Sequence, residues 1–544
     1  MIFLAVFPVT PQEFTPDTEI PEGTEFFPPD TVPETPAVNE EEMLFVITDF
    51  YFEIRGRTRE DALIRNIELK RGEKINGKAD LEKYIRDKKQ MIINQRVLKD
   101  NAEISYTIGD QQKDGSYPVI ININVEDSWN IIALPRPKYK NDTGFDLTIK
   151  ARDYNLLGTM NPLRVDLGYI YQNEKQSYNG KQQHTFKLEV YSDTPFNAFG
   201  YTWNFRFDNL FWYRSDAEQP FFYRNVTGLS MELPFRTTTF TFGFEEFITV
   251  NEENSDGRKQ YYKAKALETG EPYIGDFQAG PYMTSRPYIS WKIPTGLTVS
   301  RYGELSYIPS LSAIFNHELS DKWPLLEFRN GPFINFDHSL GFERIDWHSN
   351  YRDGLSLSIG NSYSYDFYRL RNEQEPLSIS FSAIATGHFI ISDFFGISSR
   401  LLYRYWFYHD PNYSENAADV VRGIADKSIN ADYMLSLNMD FPFRVFLFTP
   451  SKWFNNRKMR FFDLEFHASP VIDMALYHDP QKNISFNPKN IVTSGGGEVI
   501  IFSAFMRTLY ARVCVAWNLR ELFDTGKLPG GDNREISFTI GHFY

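Results

Sequence analysis

From about residue 131 to the C-terminus, apolar and polar residues alternate with a period of two, strand after strand. Phe145, Leu147, Ile149 and Ala151 interleave with Asp146, Thr148, Lys150 and Arg152. Val165, Leu167, Tyr169 and Tyr171 interleave with Arg164, Asp166, Gly168 and Ile170, and Phe186, Leu188 and Val190 with Thr185, Lys187 and Glu189. Further on, Leu377, Ile379, Phe381 and Ala383 oppose Ser378, Ser380 and Ser382, and Tyr433, Leu435, Leu437, Met439 and Phe441 oppose Asp432, Ser436, Asn438 and Asp440. Successive side chains of a strand point to opposite faces, so this pattern predicts many strands with one apolar and one polar face. The polar face carries full charges as well as Ser and Thr.

The first 130 residues read differently. Met1 to Val9 is almost wholly apolar, lacks a basic flank and is short for an export signal. It is either the remnant of such a signal or an ordinary apolar terminus. Residues 8 to 36 hold eight prolines among acidic residues, and no Lys or Arg precedes Arg55, so residues 1–43 read as an extended, disordered linker. Residues 44–128 form a compact α+β pattern. A β-prone run, Leu44 to Ile54, leads through Gly56-Arg57-Thr58 to a helix over 59–67, which Thr58 is placed to cap. A second helix over 78–94 sets Leu81, Tyr84, Ile85, Lys88 and Ile92 on one face. Two alternating strands follow, Ile104-Tyr106-Ile108 and Val119-Ile121-Ile123-Val125, giving the order β-α-α-β-β.

Composition decides between a soluble and a membrane setting for residues 129–544. Alternation alone also fits a soluble β-sandwich. Yet 16% of residues are aromatic, 48 Phe, 32 Tyr and 9 Trp, while mean hydropathy is only −0.42. No apolar stretch is long enough for a membrane helix, whereas membrane barrel strands alternate and average out to polar. Aromatics cluster near strand ends, at Trp203, Phe211, Trp212 and Tyr213 and at Tyr403, Tyr405, Trp406, Phe407 and Tyr408, as interfacial girdles do. The expectation is an all-β transmembrane barrel of about 16 antiparallel strands, at roughly 25 residues per strand and connection, with one N-terminal α+β domain. A net charge of −14 excludes a general nucleic-acid binder. The single cysteine, Cys514, excludes a disulfide and paired-cysteine metal sites.

The chain ends Ile536-Ser537-Phe538-Thr539-Ile540-Gly541-His542-Phe543-Tyr544, with Ile536, Phe538, Ile540 and Tyr544 on one face. This resembles the C-terminal signal of outer-membrane barrels, a last strand whose edge is read by β-augmentation. Val421-Arg422-Gly423-Ile424, in a long polar loop followed by five expected strands, resembles the VRG loop of the BamA/TamA superfamily of outer-membrane assembly and transport proteins. In that family the loop folds into the lumen and its Arg pairs with carboxylates. The following strands resemble the family's paired motifs, with Asn438 at an acidic position and Asp440 two residues on, roughly 7 Å away along a strand. Val471-Ile472-Asp473-Met474-Ala475 carries Ala475 where the family has Gly. Asp473, then Asp440, are the partners the resemblance implies for Arg422. Asn155-Leu156-Leu157-Gly158-Thr159 resembles an N-x-L-G-T turn of the family, and residues 44–128 resemble a single POTRA domain.

The resemblance implies an outer-membrane location with the POTRA domain and linker in the periplasm. It also implies assembly of unfolded β-barrel clients, templated at a seam between residues 131–138 and 535–544. The alternative is a pore for a secreted polypeptide in two-partner style. Implied partners are outer-membrane lipids, such clients and accessory outer-membrane or periplasmic proteins, with no nucleic acid. No HExxH, GxSxG or P-loop occurs, so no enzyme, cofactor or metal is expected. Gly495-Gly496-Gly497 reads as a strand turn or a close-packed barrel position, not a phosphate cradle, because no helix follows it.

Overall fold

A computed structural model describes residues 41, 43–140, 144–173, 182–215, 221–250, 281–299, 302–319, 331–407, 415–416, 420–424, 430–479, 482–507, 509–530 and 533–542. The acidic Pro-rich segment therefore lies outside the described residues, apart from residues 41 and 43, as does Tyr408.

The N-terminal domain contains β1 (Leu44–Arg55), α1 (Glu60–Asn66), β2 (Lys74–Asn76), α2 (Lys78–Asn94), β3 (Glu103–Ile108) and β4 (Ser116–Glu126). The sheet order is β2-β1-β4-β3, with β1 and β4 parallel. The three-residue β2 between the helices has too little periodicity to be seen in sequence. Phe45, Ile47, Leu63, Ile67, Leu81, Ile92, Ile121 and Ile123 make a fully buried core. Thr58 does not cap α1: Arg59 occupies that position without a side-chain cap, and the Thr58 hydroxyl donates instead to Asp127 Oδ1 at 2.6 Å.

Lys88 is the one cation within the buried face of α2. Its ammonium donates to the carbonyls of Ile67 and Glu68, both at 2.9 Å, at the open end of α1. Burial lowers its pKa from the ordinary 10.5. The folded domain thus releases this proton before the unfolded chain does. Stability should rise as pH climbs from the lowered folded value towards 10.5, because the unfolded state binds more protons there. Hydrogen exchange of the α2 amides should slow relative to the intrinsic rate as pH is raised towards 10.5, and Lys88→Met should abolish that trend.

Residues 131–542 form one closed antiparallel barrel, an up-and-down meander with neighbours in sequence order. Its first strands are β5 (Ile131–Lys140), β6 (Gly144–Asp153), β7 (Leu163–Gln172), β8 (Gln183–Ala198) and β9 (Tyr201–Arg214). Next come β10 (Phe221–Phe235), β11 (Thr238–Val250), β12 (Tyr282–Thr298), β13 (Glu304–Glu318) and β14 (Phe333–His348). Then follow β15 (Tyr351–Asp366), β16 (Leu377–Ser392) and β17 (Phe395–Phe407). β18 is split into Tyr433–Asp440 and Phe443–Phe448, and both halves pair with the same two neighbours. The last are β19 (Leu464–His478), β20 (Val492–Ser503), β21 (Leu509–Asn518) and β22 (Arg534–His542), and β22 closes on β5.

With the two halves of β18 sharing one position, the described residues give the barrel 18 strand positions, against the expected 16 or so from repeat length. The excess arises from short connections. β8 and β9 are joined by Phe199-Gly200, and β10 and β11 by Arg236-Thr237, which brings the repeat below the assumed length. Those two-residue turns lie at the end that faces the α+β domain, and most longer connections lie at the far end. The β18 interruption falls at Phe441-Pro442, where proline has no N–H to give the ladder.

Outward side chains include Leu167, Phe205, Phe244, Leu311, Phe336, Leu401 and Val513, all exposed. Inward positions hold charge pairs such as Arg206 and Arg286 on Glu245, and Arg152 on Asp166. An apolar exterior, a charged interior and a closed hydrogen-bonded wall are what lipid requires of a spanning β-structure.

Candidate functional site

The lumen-facing positions of β18 to β22 converge on the segment Val420–Ile424, which enters the lumen from the far end of the barrel. Period-two geometry puts Asn438 and Asp440 of β18, Asp473 of β19, Glu498 of β20, Arg512 of β21 and Glu535 of β22 on the inner face, and Asn438 is paired directly with Asp473.

Arg422 grips Asp473 with a two-point fork, Nε to Oδ2 at 2.8 Å and Nη2 to Oδ1 at 2.6 Å, while its backbone N–H donates to Oδ2 at 2.9 Å. Asp473 is only 1% exposed. A carboxylate removed from water in this way needs such compensation. Nη1 forms an ion pair with Asp440 Oδ1 at 2.7 Å and lies 3.7 Å from Glu498 Oε2. Glu498 accepts in turn from Arg512 Nε at 2.6 Å. A cavity of about 90 Å³, lined in part by Arg352, Asp440, Glu498 and Arg512, adjoins the cluster and is large enough for a few waters.

Asn438 takes a different role from an acid at that position: its amide donates to the Val420 carbonyl at 2.7 Å, holding loop backbone rather than the guanidinium. Val421 and Ile424 are buried in a small apolar cluster inside the lumen with Leu402, Ala431, Met434, Ala475 and Tyr477. The methyl group of Ala475 thus belongs to the packing under the loop.

Gly423 fixes the turn. Its φ is +81°, and its N–H donates to Glu535 Oε2 at 3.1 Å, reaching the last strand. A Cβ there would lie 2.8 Å from Ala516 C and Trp517 N. Gly423→Ala should therefore cost the left-handed strain, roughly 1–2 kcal/mol, and displace the loop. The unfolding transition on unheated gels should fall by less than for loss of Arg422.

Gly495-Gly496-Gly497 lies within β20. At Gly496 a Cβ would sit 2.0 Å from the Val515 carbonyl oxygen, so close backbone approach explains this glycine. On β22, Ile536 and Phe538 face outward and are 58% and 38% exposed. Ile540 and Gly541 are paired in register with Ala511 and Tyr510, and Tyr544 lies outside the described residues. Glu498, Arg512 and Glu535 were not found in sequence, since each comes from a different strand. The one local signal was Glu498, a lone charge in an apolar and glycine-rich run. Among the described residues no group of three or more His, Cys, Asp or Glu side chains is placed to hold a metal ion.

Fold and lumen together define a transmembrane β-barrel with a loop tied inside it and an α+β domain at one mouth. Among solved structures, the chain is similar to CdiB from Acinetobacter baumannii at 12% identity, covering 92% of this chain and 74% of that one, with a TM-score of 0.46. It is also similar to BamA from Haemophilus ducreyi lacking POTRA domains 1-3, at 11% identity over 92% and 84% of the two chains, with a TM-score of 0.38. CdiB from Escherichia coli aligns at 10% identity over 94% and 92%, again at 0.38. All three are loose likenesses of fold. No family model and no curated protein matches the sequence.

Proposed function

We propose that this chain is an outer-membrane assembly factor of the BamA/TamA type, inserting β-barrel clients, with residues 44–128 as its periplasmic POTRA domain. The observation that carries this reading is the lumen lock, because it bears on the seam. Arg422 holds the three strands β18, β19 and β20, and the adjacent Gly423 holds β22, whose other edge closes the barrel against β5. A loop that secures one lip of a seam without sealing both suits a wall that opens sideways. Strand β3 of the POTRA domain lies at the sheet edge and pairs only with β4 among the described residues, leaving an edge for an unfolded client strand. Exchange of hydrogen bonds along the seam needs no nucleotide, and no catalytic step is assigned.

A second reading, a polypeptide translocation pore, is favoured by the vestibule between domain and lumen. This open cavity of about 1280 Å³ is lined by Arg65, Glu68, Lys70, Glu232, Lys292 and Glu304 among others.

The test is reconstitution of the full chain into liposomes with a urea-unfolded barrel client, following the client's folded band on unheated gels. Faster client folding than in empty liposomes is expected. Unchanged folding together with a large ion conductance in planar bilayers would reverse the choice in favour of the pore.

A further inference from the structure

We propose that the connection between β18 and β19, residues 450–462, is a docking surface for the headgroups of an anionic phospholipid leaflet at the domain-side rim of the barrel. The proposal rests on the barrel alone and holds for either cargo.

The segment reads Pro450-Ser451-Lys452-Trp453-Phe454-Asn455-Asn456-Arg457-Lys458-Met459-Arg460-Phe461-Phe462. It holds Lys452, Arg457, Lys458 and Arg460 and no acidic residue, in a chain whose net charge is −14. It is also a built element rather than a loose loop. Asp463, buried at its end, accepts the Ser451 N–H at 3.0 Å and the Ser451 hydroxyl, closing the segment into a ring. Its own carbonyl accepts from Ala504 N at 2.9 Å, tying the ring to the β20–β21 connection. Asn456 caps the second short turn by accepting from Lys458 N at 3.0 Å.

This frame presents Trp453, Phe454, Phe461 and Phe462 at 57%, 68%, 52% and 55% exposure. Clustered large aromatics left open to solvent mark a surface that something covers. The patch runs on without a break into the lipid-facing exterior: Trp453 packs edge-on against Phe448 at 5.0 Å, next to the outward Phe446. In the other direction Phe461 meets Phe505 at 5.7 Å, and Phe505 meets Trp129 at 6.2 Å, just before β5. The aromatic row therefore passes beneath β19 to β21 and across the seam.

Aromatic rings continuous with an apolar belt, with Lys and Arg exposed on the same segment, are the residue types that a bilayer interface takes. The rings sit at headgroup level and the cations meet lipid phosphate. Continuity with the exterior and the local reversal of charge both name the leaflet as the occupant. Each basic residue close to an anionic surface favours binding by about fivefold, less where salt screens it.

The test uses the full chain in detergent with an equimolar mixture of phosphatidylglycerol and phosphatidylcholine, counting retained lipids by native mass spectrometry. The wild-type protein should retain phosphatidylglycerol over phosphatidylcholine by about tenfold or more, a preference that declines as ammonium acetate is raised. K452Q/R457Q/K458Q/R460Q should bring the ratio near parity while the barrel band stays heat-modifiable, and W453A/F454A should reduce retention of both lipids. Parity or salt-independence in the wild-type protein overturns the proposal and leaves the patch to a polypeptide partner, as does a quadruple variant that folds and keeps its preference.

Discussion

Replacing Arg422 with alanine should lower the heat resistance of the barrel band more than any other single lumen substitution, and should raise ion conductance as the loop leaves its seat. The side chain supplies two of the hydrogen bonds to Asp473 and neutralises Asp440 and Glu498 nearby. Without it, a 1%-exposed carboxylate keeps only the Arg422 backbone N–H. Breaking a buried pair from one side costs about 3–5 kcal/mol, because the stranded charge is not rehydrated. Arg422→Lys should fall between, keeping charge but losing the planar fork. The double variant Arg422→Ala, Asp473→Ala should be milder than the sum of the singles, since no charge is stranded at that point. Gel shifts over a temperature series and single-channel recording read both effects. A single variant with a wild-type transition temperature and conductance would remove the lock from the account.

Much of this architecture could be read from the chain because barrel strands report themselves locally. The alternation around Phe145 and around Leu377 needs no partner to be recognised, and α2 has sharp limits because Gly77 and the run of apolar residues at helical spacing bound it. The lumen was legible only where a loop motif announced it. Arg422 and Asp473 could be linked through the motif resemblance. Glu498, Arg512 and Glu535 reach the same spot from three further strands, and sequence gives no register between strands. Asn438 shows the limit of motif reading: the position keeps its place on the inner face, but an amide can donate, and it turned to the Val420 carbonyl. Thr58 shows the limit of local reading. A hydroxyl before a helix is ordinarily a cap, yet here Asp127 and Asn155, distant in sequence, compete for it and win.

That competition belongs to a larger arrangement in which the α+β domain spans the seam. On one side, Arg57 makes a two-point contact to Asp153 at 2.9 and 3.2 Å, Asn155 donates to Thr58 at 2.7 Å, and Arg59 N–H donates to the Gly158 carbonyl, all at the end of β6 or on the β6–β7 connection. On the other side Arg96, 1% exposed, donates to the Arg507 carbonyl on the β20–β21 connection, and Arg507 returns hydrogen bonds to Leu98 and Ile93. Arg96 also reaches Ser349 and Asn350 and lies 4.3 Å over the Trp347 ring. The two connections flank β22 and β5, so the domain clasps the barrel across the place where it would open. The domain core is continuous with this contact, since Tyr154, Met160 and Met506 of the barrel turns are buried in it. Hydrogen bonds from a charged donor are worth about 1.5–3 kcal/mol each, and Arg96 makes several from a buried position. Arg96→Ala should therefore undock that side and speed proteolysis within Asp127–Asn130 by about a hundredfold or more. Arg57→Ala removes an ion pair whose guanidinium is half exposed and should change cleavage only a few-fold. Under the assembly role proposed above, loosening the clasp on one side should also change the rate of client folding in liposomes while the barrel band stays heat-modifiable. Equal cleavage rates for the two variants would mean that the domain is held by its apolar core alone and does not clasp the seam.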